Sequence, residues 1–260
     1  MAGGDGARHP AGMKTLLKSL ALLYAGIAYL LFTAWSLYAI GFLGNFVVPK
    51  SIDTAGEGSL AVALVVDALL VGLFALQHSV MARPGFKAAW TAIVPAPIER
   101  ATYVLLSSLL FFLIFWQWRG MPGIVWQVDN EPARMAIWGV FALGWLIAVA
   151  STHMISHWDL FGLRQVMLDF RGKPYTDLPF ATRGFYRLVR HPIMLGFLIA
   201  FWATPTMTLG HLFFAGAMTV YILVALQFEE RDLLDALGAA YRDYRRRVPM
   251  LLPWVKGGQP

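Results

Sequence analysis

Two pairs of ionisable residues border long apolar segments. Arg190 and His191 come directly before Pro192 and the apolar run that starts "IMLGF", and Glu229 and Glu230 follow the next apolar run. Because proline is favoured in the first turn of a helix, a helix is expected to begin at Pro192. A carboxylate at a membrane edge is costly unless it is paired or binds a polar group. The four side chains therefore predict either a site for a zwitterionic ligand or an ion pair that closes a helical hairpin.

Three further histidines are candidates for acid–base chemistry. His78 lies at the end of another apolar run, and a histidine titrates close to neutral pH. Asp67 is eleven residues earlier, about 16 Å along a helix, and is expected either to line a substrate path or to bond to a neighbouring helix. His153 and His157, four residues apart, share one helical face. That spacing suits a metal ion, but six histidines and no cysteine are too few for a multi-histidine iron site, so a catalytic base or an interfacial hydrogen bond is preferred and no metal is predicted.

The composition indicates the elements that must position these residues. Of 260 residues, 58% are hydrophobic and 14% are charged, which is typical of a membrane protein and excludes an ordinary soluble domain. A bilayer crossing needs roughly 20 apolar helical residues. We therefore predict an all-α integral membrane protein with about five to six transmembrane helices, the last two forming a hairpin with a tight turn between Pro205 and Gly210. The candidate spans are 17–43, 59–77, 101–118, 134–152, 193–204 and 210–228.

The basic residues predict the orientation of the chain. All Lys and Arg residues except Lys50, Arg119 and Arg134 fall in the N-terminus, residues 78–100, residues 153–192 and the tail from residue 229. Because basic loops stay on the cytoplasmic side, both chain ends and the Arg190 and Glu230 region are expected there. Anionic head groups explain the net charge of +6 more simply than nucleic acid does. Membrane lipids, and no nucleic acid, are thus the expected partners.

Two stretches in the last third carry a resemblance. "RGFYRLVRHPIMLGF" and "EERDLLDALGAAYRDYRRRVPMLLP" resemble the signature of the membrane methyltransferase superfamily that includes isoprenylcysteine carboxyl methyltransferases and phospholipid N-methyltransferases. "ALQHSVMARPGFK" and "STHMISHWDLFGLRQV" are similar to bacterial methanethiol S-methyltransferases, which are allied to a membrane family associated with nitric-oxide reductase operons. Met194 stands where isoprenylcysteine enzymes usually have an aromatic residue, which puts a prenylated substrate in doubt.

The resemblance implies an S-adenosylmethionine site on the cytoplasmic face of a bacterial inner membrane and a small thiol substrate. The cofactor-binding positions that it implies are Gly184, Tyr186, Arg190, His191, Leu195, Gly196, Glu229 and Glu230, with weaker matches at Gln165 and Val166. His78 is then the first candidate for the base that ionises the thiol, with Asp67, His153 and His157 as further candidates. The resemblance specifies no oligomeric state.

Three regions follow from this interpretation. Residues 1–16 are expected to be disordered, residues 17–152 to form a four-helix transmembrane region on the substrate side, and residues 153–260 to form the cofactor site from an inner loop, the hairpin and the tail. The tail is expected to contain an amphipathic helix, because Leu233, Leu237, Tyr241 and Tyr244 recur at helical spacing. Two alternatives stay open: another methyl acceptor (a different thiol, a prenylcysteine carboxylate or a lipid amine), and a haem-binding membrane isomerase or sensor with His78 as an axial ligand.

Overall fold

A computed structural model gives the fold of residues 11–54 and 58–253. Within these ranges, five helices are long and apolar enough to cross a membrane. They are α1 (Ala11–Gly44), α2 (Leu60–Ala82), α4 (Ala96–Gln117), α5 (Glu131–Ile155) and α9 (Leu209–Leu237). The prediction of an all-α integral membrane protein is therefore confirmed.

The shorter elements connect and cap these helices. They are α3 (Pro84–Trp90), β1 (Ile124–Gln127), α6 (His157–Leu160), α7 (Leu163–Phe170), a 3₁₀ turn (Gly184–Arg187), α8 (Pro192–Trp202), β2 (Thr206–Thr208) and α10 (Ala239–Arg247). Strands β1 and β2 pair antiparallel. One aromatic-rich core joins the long helices and α8, with the indole of Trp35 stacked on the ring of Phe111 at 4.1 Å.

The bundle has two chemically different ends. The strand end carries β1 and β2, and there the indole of Trp118 donates to the carbonyl of Ile52 at 3.0 Å. The opposite end, called the Arg190 end, carries the paired charges of Arg190 and Glu230. Helices α2, α5 and α9 all run from the strand end to the Arg190 end, so charges far apart in sequence meet there.

Helix α8 is too short to cross a membrane by itself. Its 11 residues span about 16 Å, roughly half of a hydrocarbon core of about 30 Å. Residues 203–205 are irregular and lead into β2 at the strand end, and six non-helical residues can reach up to about 20 Å. The predicted helix over 193–204 is thus present, but it ends at Trp202, and non-helical chain covers the remaining distance to the strand end. Strand β2 replaces the tight turn predicted between Pro205 and Gly210.

Non-helical backbone at membrane depth needs partners for its polar groups, because lipid supplies none. The side chain of His211 bonds to the carbonyl of Phe201 at 2.9 Å, and the indole of Trp126 donates to the carbonyl of Thr204 at 3.1 Å. The backbone N–H of Val128 donates to the carbonyl of Pro205 at 2.9 Å. The β1 region and α9 therefore shield this segment.

Helix α8 is held against α5 by two facing glycines. A Cβ atom on Gly196 would lie 2.6 Å from the backbone oxygen of Gly144, and one on Gly144 would lie 2.7 Å from the backbone oxygen of Gly196. Small residues let transmembrane helices approach until their backbones touch. This contact fixes the position of Arg190 and His191, which precede α8.

Two further expectations need correction. Helix α1 begins at Ala11, so residues 11–16 are helical and not disordered; residues 1–10 lie outside the described part of the chain. The amphipathic tail helix is divided, because α9 ends at Leu237 and Gly238, with a φ of 56°, separates it from α10. The break lets α10 fold back onto the Arg190 end.

Candidate active site

The centre of the Arg190 end is a buried ion pair. The Nε and Nη2 atoms of Arg190 both lie 2.6 Å from Oε1 of Glu230, and Nε2 of His191 lies 3.2 Å from the same oxygen. Arg190, His191 and Glu230 are each less than 10% exposed. The two ends of the α8–α9 hairpin therefore meet, as the sequence predicts.

The C-terminal tail completes this cluster. Nε of Arg245 lies 3.4 Å from Oε2 of Glu230, and the hydroxyl of Tyr241 donates to Oε1 of Glu230 at 3.4 Å. The guanidinium of Arg190 also donates to the carbonyl of Val248 at 2.6 Å. Glu230 thus has partners on both oxygens, which makes it the residue that fastens α8, α9 and the tail together.

Glu229 has a different environment from its neighbour. Its side chain is 48% exposed, and its Oε2 atom lies 3.8 Å from Nδ1 of His191, beyond hydrogen-bond distance. It also lies within electrostatic range of the phenols of Tyr103 and Tyr186. Of the two predicted acids, Glu229 is therefore the one placed to contact a ligand.

Tyrosines line the side of the cluster that faces the 3₁₀ turn. The hydroxyl of Tyr244 donates to the carbonyl of Tyr186 at 2.6 Å. Burial raises the pKa of Tyr244 to about 12 and also raises the pKa of Tyr186 and of Tyr241. These phenols therefore stay protonated at neutral pH and keep acting as hydrogen-bond donors.

His78 belongs to a chain of hydrogen bonds between α2 and α4. The Tyr103 hydroxyl lies 2.7 Å from Nε2 of His78, and Nδ1 of His78 lies 3.0 Å from Oγ of Ser107. The hydroxyl of Ser107 in turn donates to Oε1 of Gln77 at 3.2 Å. The imidazole ring also stacks on Phe74, with centroids 5.0 Å apart. His78 is thus fixed on three sides.

An ion pair places this network next to Glu229. Nη1 of Arg83, at the end of α2, lies 2.8 Å from Oδ2 of Asp232 on α9. His78 is five residues before Arg83, and Glu229 is three residues before Asp232. At 1.5 Å per residue both lie within about 8 Å of that ion pair along their helix axes. His78 and Glu229 therefore sit at similar depth on neighbouring helices.

His153 and His157 form a stacked pair on the α1 side of the same end. Their ring centroids are 4.1 Å apart. The hydroxyl of Tyr29 lies 2.7 Å from Nε2 of His157, and Oγ1 of Thr152 lies 2.8 Å from its Nδ1. Burial, and then the neighbouring His153, lower the pKa of His157. These contacts fit the interfacial hydrogen bond that the sequence offers as one interpretation.

A polar cavity of about 410 Å³ opens between the start of α4, α7 and the following loop. Glu99 and Gln165 are among the residues that line it, and each has a buried side-chain oxygen that accepts no hydrogen bond from the described residues. The lining also contains Arg100, Lys173 and Tyr175. Such a volume is in the range of small-molecule sites. The free acceptors suit a ligand with hydroxyl or amino donors, such as a nucleoside.

The structure does not bring all the predicted residues to this site. Asp67 is fully buried at the strand end, where its Oδ1 accepts from the backbone N–H of Arg119 at 3.0 Å. Val166 is fully buried in a small cluster with Ala25, Ala28 and Ala101. Both residues pack within the protein.

Three glycine and leucine positions from the resemblance have packing contacts. Gly196 touches α5, and Leu195 packs against the main core. Gly184 has a φ of 53°, and a Cβ atom there would overlap the sulfur of Met154. These contacts account for the small residues at Gly184 and Gly196, and no contact with a ligand is needed to explain them.

Sequence reasoning missed Tyr103, Ser107 and Arg245. Tyr103 and Ser107 are four residues apart on α4, on the same helical face, but nothing in the sequence links that face to His78. Arg245 stands in a run of three arginines. Only the break at Gly238 turns it toward Glu230.

The fold and the site define a membrane protein that crosses the bilayer several times and gathers polar groups at one end. The chain belongs to the NnrU protein family, whose family model matches residues 67–251. No solved structure matches the chain.

Its relatives include proteins with two different names. A Mycobacterium tuberculosis protein named methanethiol S-methyltransferase is 58% identical over 90% of this chain and 96% of its own length. A Bradyrhizobium diazoefficiens protein named methanethiol S-methyltransferase 2 is 60% identical over 89% of each chain. A more distant relative, a nurim homolog of Drosophila pseudoobscura, is 28% identical over 85% of this chain and 93% of its own length.

Proposed function

We propose that this protein methylates methanethiol to dimethyl sulfide with S-adenosylmethionine as the methyl donor. The observation that carries the proposal is the position of Glu229, which is exposed beside the buried Arg190–Glu230 pair and lies at a depth similar to that of the hydrogen-bonded His78. An anion next to a proton acceptor is what a cationic methyl donor and a weakly acidic thiol require. The names of relatives at 58% and 60% identity support the same reaction.

The residues at the Arg190 end fit the methyl donor. When bound, S-adenosylmethionine supplies a methyl group on a positively charged sulfur. Glu229 offers a carboxylate to its positive charges, because its own partner His191 is beyond hydrogen-bond distance. Glu99 and Gln165 line the cavity, and the side-chain oxygen that each has without a partner among the described residues is our candidate acceptor for the hydroxyl and amino groups of the nucleoside. Arg190, His191 and Glu230 hold the surrounding helices in place.

The chain's own contribution to the reaction is alignment and proton removal. A free cysteine thiol has a pKa of about 8.5 and a simple alkyl thiol is less acidic, so the nucleophile must lose a proton in the site. His78 is the base that drives removal of this proton in our proposal. The apolar walls around His78, including Phe74, exclude water and so favour attack by the thiolate.

The distribution of basic residues supports a cytoplasmic Arg190 end. The loops and tail at this end hold Arg83, Arg164, Arg187 and Arg245, among others, whereas the strand end holds Lys50, Arg119 and Arg134. Under the positive-inside rule the Arg190 end faces the cytoplasm, where S-adenosylmethionine is made. We therefore place the protein in the bacterial inner membrane.

The contacts of His78 argue against the haem alternative. Both ring nitrogens are within 3.0 Å of a side-chain oxygen, from Tyr103 and from Ser107. An axial haem ligand needs one nitrogen free for iron. The geometry thus favours acid–base chemistry at this residue.

A panel of acceptors tests the proposed function. Purified protein receives S-adenosylmethionine with methanethiol, with ethanethiol, with a prenylcysteine or with a phospholipid amine, and the methylated products are measured. We expect dimethyl sulfide as the main product, with lower turnover of ethanethiol. If the prenylcysteine or the lipid amine is methylated in preference, the substrate is a long acceptor and not methanethiol. If none of the acceptors is methylated, the proposal is refuted.

A further inference from the structure

Tyr103, on α4, is one of the side chains that hold His78 in place. Its hydroxyl contacts Nε2 of His78 at 2.7 Å, and it lies within electrostatic range of Glu229. We infer that Tyr103 is a further catalytic residue: its hydroxyl takes the proton of the thiol while passing its own proton to His78. This inference rests on the proposed function and names the group that touches the substrate.

The hydrogen bonds fix the direction in which the proton moves. Oγ of Ser107 donates its only proton to Oε1 of Gln77, and the amide nitrogen of Gln77 donates to the sulfur of Met81 at 3.0 Å. Ser107 must therefore accept the hydrogen bond from His78, which puts the imidazole proton on Nδ1. Nε2 then carries the lone pair that accepts from the hydroxyl of Tyr103.

Direct contact between the thiol and His78 is blocked. Nε2 is covered by Tyr103, Nδ1 is covered by Ser107, and one ring face stacks on Phe74. Tyr103 is only half-buried, and its oxygen can still accept a hydrogen bond after donating its proton to His78. The oxygen of Tyr103 is thus the atom of this chain of hydrogen bonds that keeps a free acceptor position.

The step balances in atoms and in charge. The thiol S–H bond breaks, its proton goes to the oxygen of Tyr103, and the former hydroxyl proton goes to Nε2 of His78. The thiolate sulfur forms the new S–C bond as the methyl group leaves the sulfonium, whose sulfur keeps the electron pair of the broken bond. One positive charge disappears from the sulfonium and one appears on His78. The total charge of the site is unchanged, which matters in a poorly hydrated pocket.

Substitution of Tyr103 separates proton transfer from packing. In Tyr103→Phe we expect kcat/KM for methanethiol to fall about 100-fold or more, the usual contribution of a positioned acid–base group. For thiophenol, which is largely ionised near neutral pH, the same variant should lose less than about tenfold because no proton has to be removed. A merely structural role would reduce both substrates equally, and that outcome would overturn the inference.

Tyr24→Phe is the matched control. Tyr24, on α1, donates to Oγ1 of Thr102, the residue beside Tyr103, at 3.0 Å, so the variant removes one phenol hydroxyl that contacts the same part of α4. We expect it to retain wild-type activity with both thiols. The wild type tests the proposed function separately: a wild type without dimethyl sulfide formation refutes that function, whereas an active wild type with an equally active Tyr103→Phe refutes only the role of Tyr103.

Nitrogen NMR of the histidines gives a readout independent of turnover. With ¹⁵N-labelled histidine, His78 should show a protonated Nδ1 and a hydrogen-bonded, unprotonated Nε2, with His78→Asn identifying its signals. Tyr103→Phe should remove the hydrogen-bond shift at Nε2 and leave the other histidines unchanged. A protonated Nε2 on His78 in the wild type would contradict the proposed direction of proton transfer.

Discussion

Replacement of Gly196 by alanine tests how α8 is held. The new Cβ atom would lie 2.6 Å from the backbone oxygen of Gly144 and from the backbone nitrogen of Ala148, whereas ordinary contacts begin at 3.4 Å. Both obstacles are backbone atoms, so no side chain can rotate away. Helices α5 and α8 must separate by about 0.8 Å, a gap that forfeits a quarter to a half of each dispersion contact along their interface.

The magnitude follows from two opposing effects. Overpacking of this kind costs about 1–3 kcal/mol, and the rigid obstacles here place Gly196→Ala near the upper value. Alanine recovers up to about 1 kcal/mol through its better helix propensity. The net loss of about 2 kcal/mol corresponds to a melting temperature roughly 4–8 °C lower for a chain of this size.

Heating the detergent-solubilised protein and measuring the monodisperse fraction by size-exclusion chromatography checks this value. Gly139→Ala is the control, because a Cβ atom at Gly139 on α5 would have no contact within 4 Å, and we expect that variant to be as stable as wild type or slightly more stable. An unchanged melting temperature in Gly196→Ala together with weaker binding of S-adenosylmethionine would instead make Gly196 a ligand contact and refute the packing argument.

Three other predictions concern the charges and the non-helical segment. Glu229→Gln should weaken binding of S-adenosylmethionine about 10- to 100-fold, which is the contribution of a hydrogen bond to a charged group, and should leave the melting temperature unchanged. Glu230→Gln should instead lower the melting temperature, because Arg190 loses its buried partner. Calorimetry measures the binding of both variants, and thermal unfolding measures their stability. Burial lowers the pKa of His157, so below about pH 6.5 the unfolded chain binds a proton that the folded chain excludes, and stability should decrease as the pH falls. In a pH series, the melting temperature of His157→Gln should decrease less steeply than that of the wild type. An identical slope in the two proteins would contradict this prediction. Trp126→Phe leaves the carbonyl of Thr204 without its donor and should cost about 1–3 kcal/mol, measured against wild type by the same thermal unfolding.

The sequence predicts the local elements of this fold better than their contacts. Apolar length predicts the five long helices, and the charges of Arg190 and Glu230 predict that the last hairpin closes at one end. The length of α8 could not be predicted in this way, because an apolar sequence looks the same whether it is helical or is non-helical under a covering strand. Only the pairing of β1 with β2, about 80 residues apart in the chain, makes the non-helical crossing stable.

The same limit applies to the candidate site. His78 is recognisable from its residue type and its place at the end of an apolar run. Its partner Tyr103 lies on another helix, and only the packing of α2 against α4 brings their side chains together. Glu229 and Glu230 are adjacent acids in the sequence, but their roles separate because successive residues on a helix point in directions about 100° apart. Glu230 therefore faces the tail, and Glu229 faces the open side.

The most direct test of the proposed reaction follows the methyl group and the side of the membrane together. Membrane vesicles that contain the protein, either inverted or right-side-out, receive methanethiol and S-adenosylmethionine with a deuterated methyl group. The bilayer is impermeable to S-adenosylmethionine. We expect dimethyl sulfide with one trideuteriomethyl group from the inverted vesicles, and about 10- to 100-fold less of it from inverted vesicles that carry Glu229→Gln at low donor concentration. Labelled product from the right-side-out vesicles alone, or unlabelled product from either, would contradict this expectation.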